Sequence, residues 1–295
     1  MKKGNEATRM AITNTSPLIK QGWLRAVIFL LAFFACVLLA AFITGYVTLL
    51  TKSPASATVT ISLFITAIFA ILLTIVFTKT INRQPVKSIG FQWTGYQHHA
   101  LTGLCFGVAL LGAGSLLLFA TGHLEWNNIS FPASDIFIAL GLMIIIALAE
   151  EMVFRGYILN NLMQSMHPWA ALGYSALLFA VAHISNPGIT SVAVVNLLLA
   201  GLLMGINYIY TRNLWFALIF HFSWNFFQGP VLGYEVSGLP LQSILKPELK
   251  GPWWLTGSPF GFEGSFIATC LLMGSLFVLY SVYTAQYGKP VAAIQ

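Results

Sequence analysis

The 295 residues of the chain are 58% hydrophobic and 7% charged, with a mean hydropathy of +0.82 and a formal net charge of +6. Soluble domains carry about 25% charged residues, so this composition excludes an ordinary soluble protein and is typical of a polytopic integral membrane protein. The basic residues are scattered and form no stripe with interleaved aromatic residues, so we expect no nucleic-acid partner.

Eight hydrophobic runs are candidates for membrane-spanning helices, because about 20 helical residues cross a hydrocarbon core of about 30 Å. The runs lack the alternation of barrel strands, and a helix satisfies its own backbone in lipid. The sequence therefore predicts an all-α transmembrane bundle of about eight helices, forming a single integral membrane domain over residues 1–295. In chain order, the predicted spans are 26–50, 57–78, 99–121, 134–166, 169–185, 189–210, 214–228 and 265–286.

The loops of this topology differ in their content of lysine and arginine. Cytoplasmic loops carry the excess of these residues, so we expect both termini in the cytoplasm and an even number of spans. The predicted cytoplasmic residues are Lys2, Lys3, Arg9, Lys20, Arg25, Lys79, Arg83, Lys87, Arg212 and Lys289, against Lys52, Lys246 and Lys250 outside.

Two adjacent acids lie inside the fourth span. A charged side chain at membrane depth costs about 2.5 to 3.5 kcal/mol on insertion scales, so such residues usually serve a function. Glu151 and Arg155 are four residues apart, share a helix face and can form an ion pair. Glu150 lies about 100° around the helix and lacks that partner, which leaves it available as a general base or acid. The alternative is that both acids pair with Arg155.

Phe179 and His183 are four residues apart at the end of the fifth span. A histidine near a helix end is more often a structural residue than a catalytic one. If the fourth and fifth helices form a hairpin that turns at His167 and Pro168, however, Glu150 and His183 lie at nearly equal distances from the turn. Their side chains then reach similar depths in the membrane.

His221 and Asn225 are four residues apart inside the seventh span. They offer two hydrogen-bond donors on one helix face, as the stabilisation of a tetrahedral oxyanion requires, although polar residues of this kind also hold helices together. His221 lies about 13 Å along its helix from Arg212, whereas Glu150 and His183 lie about 22 to 25 Å from the turn at 167. We therefore expect the polar tip of the hairpin, residues 156–167, to protrude and the site to lie in the cytoplasmic half of the membrane.

The connection 229–263 is long and rich in proline and glycine. It is either a lid or an interfacial loop without a part in the chemistry. Two G-x-x-x-G pairs, Gly103 with Gly107 and Gly201 with Gly205, predict close helix packing within the bundle. His98, His99 and His123 fall in loops or at span ends and have no acidic partner at ligand spacing, so we expect them to be solvated.

Three motifs occur in order on successive hydrophobic helices: E-E-x-x-x-R at 150–155, F-x-x-x-H at 179–183 and H-x-x-x-N at 221–225. Together they resemble the CPBP family of intramembrane proteases, which includes the CAAX prenyl endopeptidases of the Rce1 type and bacterial bacteriocin-processing or immunity proteins. The resemblance covers about residues 134–230, the predicted catalytic core. It implies a hydrolase in a bacterial cell membrane that acts on a membrane-associated protein or peptide, including prenylated CAAX substrates.

The resemblance also implies roles for the motif residues. Glu150 would be the catalytic base, and His183 would help it orient and activate a water molecule. His221 and Asn225 would stabilise the oxyanion, while Glu151, Arg155 and Phe179 would support the site.

Members of this family are often classed as metalloproteases, and Glu150, His183 and His221 would be a chemically adequate set of zinc ligands. If Glu150 were a ligand, however, another base would be needed, and its neighbour Glu151 is committed to Arg155. We therefore favour a water molecule activated by glutamate over a zinc cofactor.

Two other classes of function stay open. The chain could be a non-catalytic regulatory or immunity protein of the same family. It could also be a transporter that relays protons through its buried acid and histidines, although no inverted repeat or pair of broken helices supports this.

Overall fold

Eight helices follow one another through the structure, a computed structural model that describes residues 16–257 and 259–291, without the side chains of residues 55 and 56. Each helix coincides with a predicted span, and the all-α class is confirmed at 71% helix. Lys2, Lys3 and Arg9 lie outside the described residues. The helices are α1 (Gly22–Thr51), α2 (Ala55–Thr80), α3 (Gln97–Ala120), α4 (Ala133–Glu151), α5 (Pro168–Ala182), α6 (Ser191–Thr211), α7 (Trp215–Phe226) and α8 (Phe266–Tyr287).

Six of these helices are long and apolar enough to cross a membrane. The exceptions are α5 with 15 residues and α7 with 12. At 1.5 Å per residue they extend about 22 and 18 Å, less than the hydrocarbon thickness of about 30 Å. The predicted bundle is therefore present, but two of its eight helices are too short to cross the membrane on their own.

The helix α4 changes to π-helical geometry directly after its acid pair, and α7 does so two residues after Asn225. α4 continues as the π-helical segment Met152–Leu159 and one last α-turn, Asn160–Leu162. α7 continues as the π-helical segment Phe227–Val231. π-helical turns are rare and occur frequently at functional sites. Their position here marks the two helices that carry the acid pair and the His and Asn pair.

Glycines let the core helices approach closely. A Cβ atom on Gly103 would lie 2.5 Å from the backbone oxygen of Phe216, so α3 packs directly on α7, where Gly107 makes a similar approach. Gly201 and Gly205 do the same for α6 against α5. The prediction that both G-x-x-x-G pairs pack helices within the bundle is confirmed.

The hairpin of α4 and α5 turns before Pro168, as predicted. Its tip does not protrude as predicted, because residues 156–159 and 161–163 are buried and a Cβ atom on Gly22, at the start of α1, would lie 2.0 Å from the backbone oxygen of Asn161. Arg212 follows α6 and donates a hydrogen bond of 2.8 Å from Nη1 to Oδ1 of Asn160. Counted from the two residues of this bond, Glu150 is ten residues away and His221 is nine, or about 15 and 13 Å. The two motifs therefore lie at similar distances from this end of the bundle.

A two-stranded antiparallel sheet lies at the opposite end of the bundle. Its strands are β1 (Leu124–Ile129) and β2 (Leu245–Leu249), with Leu124 paired to Leu249. The prediction contained no strands, because each is short and its partner is distant in sequence. β2 belongs to the long connection after α7, which also contains the one-turn helix Trp253–Thr256 and the 3-10 turn Phe262–Gly264.

The prediction that His99 is solvated is wrong. Its side chain is buried at the start of α3, and its Nδ1 lies 3.1 Å from Nδ2 of Asn207 on α6. Isolated polar residues in an apolar stretch are therefore also used here to join helices.

Candidate functional site

The ion pair of α4 forms the buried base of the site. Arg155 Nη1 donates to Glu151 Oε1 over 2.7 Å, and the two side chains are 1% and 0% exposed. Arg155 Nη2 donates to the backbone oxygen of Gly201 over 3.2 Å, and the guanidinium carbon lies 4.5 Å from the ring centre of Phe179. These contacts satisfy a charge whose burial would otherwise be costly. They also fix Phe179 at the centre of the site.

Glu150 is free of this ion pair, as its helical rotation predicts. Its Oε2 atom is buried and has no hydrogen-bond partner. The Nε2 atoms of His183 and His221 lie 3.7 and 3.8 Å from that oxygen. Both distances exceed a direct hydrogen bond and leave room for one bridging group. The interpretation that both acids pair with Arg155 does not describe this arrangement.

The hydrogen-bond partners of the two histidines show which ring nitrogen carries the hydrogen. His183 Nδ1 lies 2.8 Å from the backbone oxygen of Phe179, and His221 Nδ1 lies 3.0 Å from Glu151 Oε1. A carbonyl and a carboxylate can only accept, so each Nδ1 carries the hydrogen. Each Nε2 is therefore the atom that remains to interact with a group beside Glu150. The hydrogen-bonded partners also hold each ring in its orientation.

Asn225 and Phe179 complete the predicted set. Asn225 is 8% exposed, one turn after His221 on α7, and lines the same cavity as Glu150. The ring of Phe179 lies 4.6 Å from that of His183 and 6.1 Å from that of His221, measured between centres. The structure thus brings together all seven residues that the sequence indicated.

A cavity of about 500 Å³ opens over Glu150, His183 and His221. Its apolar walls come from α1, α2, α4, α5, α6, α7 and α8, with Phe33 and Leu63 among the side chains of the first two helices. This volume and this mixture of apolar walls with few polar groups are typical of a ligand-binding site. The site can therefore accept a segment of peptide or lipid beside its polar residues.

The long connection after α7 supplies the remaining wall. We call residues 236–241 the roof segment, because Val236, Ser237, Leu239 and Leu241 line the cavity beyond the ends of α5 and α7. Glu263, in the 3-10 turn before α8, lines it as well. Burial raises the pKa of Glu263, while hydrogen bonds from Ser237 act in the opposite direction.

The connection 229–263 was predicted to be either a lid or an interfacial loop, and neither the roof segment nor Glu263 stood out within it as part of the site. A signal was present, since Glu263 is one of only eight acids in the chain and directly precedes a hydrophobic span. The position of Glu263 could not be predicted from helical spacing, because Glu263 lies in irregular structure. It reaches the cavity through contacts with residues that are distant in sequence.

The residues proposed as zinc ligands have the right chemistry but not the arrangement of a metal site. Within the described parts of the chain, no group of three His, Cys, Asp or Glu side chains is placed to hold a metal ion. Around Glu150, the separations of 3.7 and 3.8 Å suit a bridging water molecule. We therefore derive no chemical step through a metal.

Residues 132–227 match the family model of the type II CAAX prenyl endopeptidase Rce1-like proteins. The matched segment runs from the start of α4 to the end of α7 and contains every motif residue, so it confirms the resemblance to this protease family. No curated protein and no solved structure matches the chain.

Proposed function

We propose, from the premise that residues 132–227 are an Rce1-like segment of the CPBP protease family, that the chain is an intramembrane endopeptidase. Its substrates would be membrane-associated proteins or peptides, and prenylated CAAX proteins are one class of them. The catalytic core would be residues 134–230 within a single membrane domain. The observation that carries the proposal is the unpaired Oε2 of Glu150, with the Nε2 atoms of His183 and His221 within 4 Å of it.

In the proposed reaction, a water molecule occupies the space between Glu150 and His183. Glu150 takes a proton from the water while the oxygen adds to the carbonyl carbon of the scissile peptide bond. His183 Nε2 accepts the second hydrogen bond of the water and orients it. Glu150 then gives the proton to the leaving nitrogen as the carbon-nitrogen bond breaks, which yields a carboxylic acid and an amine. The acid loses its remaining proton to the amine, so the products are a carboxylate and an ammonium group.

The negative charge of the tetrahedral intermediate falls on the former carbonyl oxygen. Asn225 Nδ2 and His221 Nε2 are the donors proposed for this oxygen. For His221 this requires a protonated ring, since its Nδ1 hydrogen is used by Glu151. Oε1 of Glu151 lies 3.0 Å from Nδ1 and Oε2 of Glu150 lies 3.8 Å from Nε2, so a protonated ring would have a carboxylate beside each nitrogen.

We also propose the orientation that the basic residues predict, with both termini in the cytoplasm of a bacterial cell. The alternation of the helices puts Lys20, Lys79 and Arg212 at one end of the bundle and Lys52 and Lys246 at the other. That separation supports the positive-inside assignment. The site would then be about 13 to 15 Å from the cytoplasmic end of α6.

The test compares the termini of membrane proteins in host cells that lack this protein and are complemented with wild type, Glu150→Gln or Glu125→Gln at matched levels. Glu125 is an exposed carboxylate on β1, so its variant makes the same chemical change away from the cavity. New termini that depend on wild type and Glu125→Gln, but not on Glu150→Gln, would support proteolysis. Identical termini with all three proteins would favour the non-catalytic regulatory role.

Two further measurements address the alternatives. Proton flux in liposomes that disappears with Glu150→Gln would revive the transporter. Stoichiometric zinc in the purified wild type that is lost in His183→Ala would replace the metal-free step with a zinc-dependent one.

A further inference from the structure

The roof segment is irregular backbone packed against buried parts of the same connection. Loops normally run over a surface, because their unpaired backbone groups are costly to bury. Here Val236 and Gly238 of the roof segment are buried, as are Tyr234, Phe260 and Phe262 of the same connection, although Pro240 is exposed. Such a structure persists only where its polar groups are satisfied within the protein.

Hydrogen bonds from neighbouring parts of the protein satisfy polar groups in and beside the roof segment. Glu263 Oε1 accepts hydrogen bonds from the backbone N–H of Ser237, over 2.5 Å, and from its hydroxyl, over 2.8 Å. Gln228 Nε2 donates to the backbone oxygen of Glu235 over 2.7 Å, and Gly238 N donates to the oxygen of Phe260 over 2.9 Å. Gln228, Phe260 and Glu263, from three separate parts of the chain after α7, therefore hold the roof segment in place.

The turn is also held against the segment that carries His183. A Cβ atom on Gly238 would lie 1.8 Å from the backbone oxygen of Pro187, so the two backbones are in direct contact. Asn186, beside Pro187, lines the cavity with His183. Any movement of the roof segment would change the space beside the polar residues.

The apolar side chains of this fixed turn face that space. Val236, Leu239 and Leu241 line the same cavity as Glu150, together with Ser237 and Glu263. A fixed apolar wall next to a reacting group discriminates between substrate side chains by their size, by about 10- to 200-fold per methylene group.

Resting on the proposed function, we infer that the roof segment is the specificity-determining wall of this protease. It takes an aliphatic or aromatic side chain of the substrate close to the bond that is cut. Glu263 is a positioning residue, which acts by holding Ser237 and hence the turn. Both elements lie outside residues 132–227, so the chemistry and the selection of substrate come from different parts of the chain.

The experiment maps cleavage sites in host-cell membranes for wild type, Leu239→Ala, Leu239→Phe and Leu249→Ala. Leu249 is on β2 and does not line the cavity, so its variant is the matched control. We expect Leu239→Ala to shift the preferred residue next to the cut towards larger side chains and Leu239→Phe towards smaller ones, each by about tenfold in relative frequency. Leu249→Ala should keep the wild-type profile.

Two outcomes would overturn the inference in different ways. If termini dependent on Glu150 are found but both Leu239 variants keep the wild-type profile, the roof segment does not select substrate and the inference alone fails. If no termini depend on Glu150, the proposed function fails and the inference fails with it.

Glu263 is tested with Glu263→Gln and Glu263→Ala on a peptide that spans the commonest cut site. Glutamine retains an oxygen for the two Ser237 donors, so we expect a wild-type cleavage profile. Alanine removes the acceptor, so we expect about a tenfold rise in KM with kcat within about threefold, and a broader profile. Equal behaviour of the two variants, or a loss of thermal stability without any change in profile, would overturn the positioning role.

Discussion

The two sides of the cavity are built in different ways. On one side, α4, α5 and α7 present charged and polar residues at regular intervals of four residues. On the other side, the roof segment has no helical repeat and is held by Glu263, Gln228 and glycines in close backbone contact. The helical side is therefore suited to placing polar groups at regular positions, and the irregular side is suited to shaping the wall of the cavity.

Variants on the helical side should therefore affect bond cleavage or the stability of the core, and variants on the irregular side should affect the fit of the cavity.

Glu151→Gln should have the largest effect, because it leaves the positive charge of Arg155 buried without its counter-charge. We expect a loss of about 3 to 5 kcal/mol in the free energy of unfolding, measured by denaturation in mixed micelles. The double variant Glu151→Gln with Arg155→Met removes both charges and should recover part of the loss. If the single and double variants are equally unstable, the ion pair is not the source of the effect.

Asn225→Ala should lower turnover with little loss of stability. It removes one proposed oxyanion donor, and such changes lower kcat by about 100- to 1000-fold. The measurement is steady-state hydrolysis of a peptide identified from the membrane termini, with Asn127→Ala on β1 as control. A change confined to KM would instead place Asn225 in substrate binding.

Gly238→Ala should disturb the irregular side. Its backbone has a φ of +79°, and the new methyl group would meet the oxygen of Pro187 at 1.8 Å. Gly122→Ala is a matched control, since its φ is +75° but no atom lies within 4 Å of the new Cβ. Overpacking should make Gly238→Ala less stable than Gly122→Ala by about 1 to 3 kcal/mol, measured by thermal unfolding. Equal losses would show that the contact with Pro187 relaxes freely.

Glu263→Gln should change how stability depends on pH. Burial raises the pKa of Glu263 above its ordinary value of 4.5, so the folded protein holds this proton more tightly than the unfolded chain does. Stability is therefore lost as pH rises above the unfolded value. The variant lacks this titration, so its melting temperature relative to wild type should be higher at pH 8 than at pH 5. Glu125→Gln, at an exposed site, is the control, and a relative melting temperature that is higher at pH 5 would contradict the prediction.

The helical side could be predicted from sequence because its information is local. A four-residue spacing sets Glu151 beside Arg155, and an equal count from the turn at 167 sets Glu150 level with His183. The predicted spans 169–185 and 214–228, which correspond to α5 and α7, are also the two shortest of the eight. Each of these properties follows from the geometry of one helix or one hairpin.

The irregular side could not be predicted in this way. Glu263 reaches Ser237 through a turn whose shape depends on positive φ angles at Gly238 and Gly261 and on contacts with Pro187. The pairing of β1 with β2 joins segments more than a hundred residues apart. The burial of His99 likewise depends on Asn207, on a different helix. Such contacts have no periodic signature in the sequence.

The short helices α5 and α7 would also affect the electrical insulation of the membrane. In the proposed orientation, a water-accessible site partway through the bilayer would thin the barrier that maintains ion gradients. The chain that follows these helices is closely packed, since Gly238 is in backbone contact with Pro187 and Gly261 with Glu235. This packing would let the proposed hydrolysis proceed inside a membrane without opening a path for ions through it.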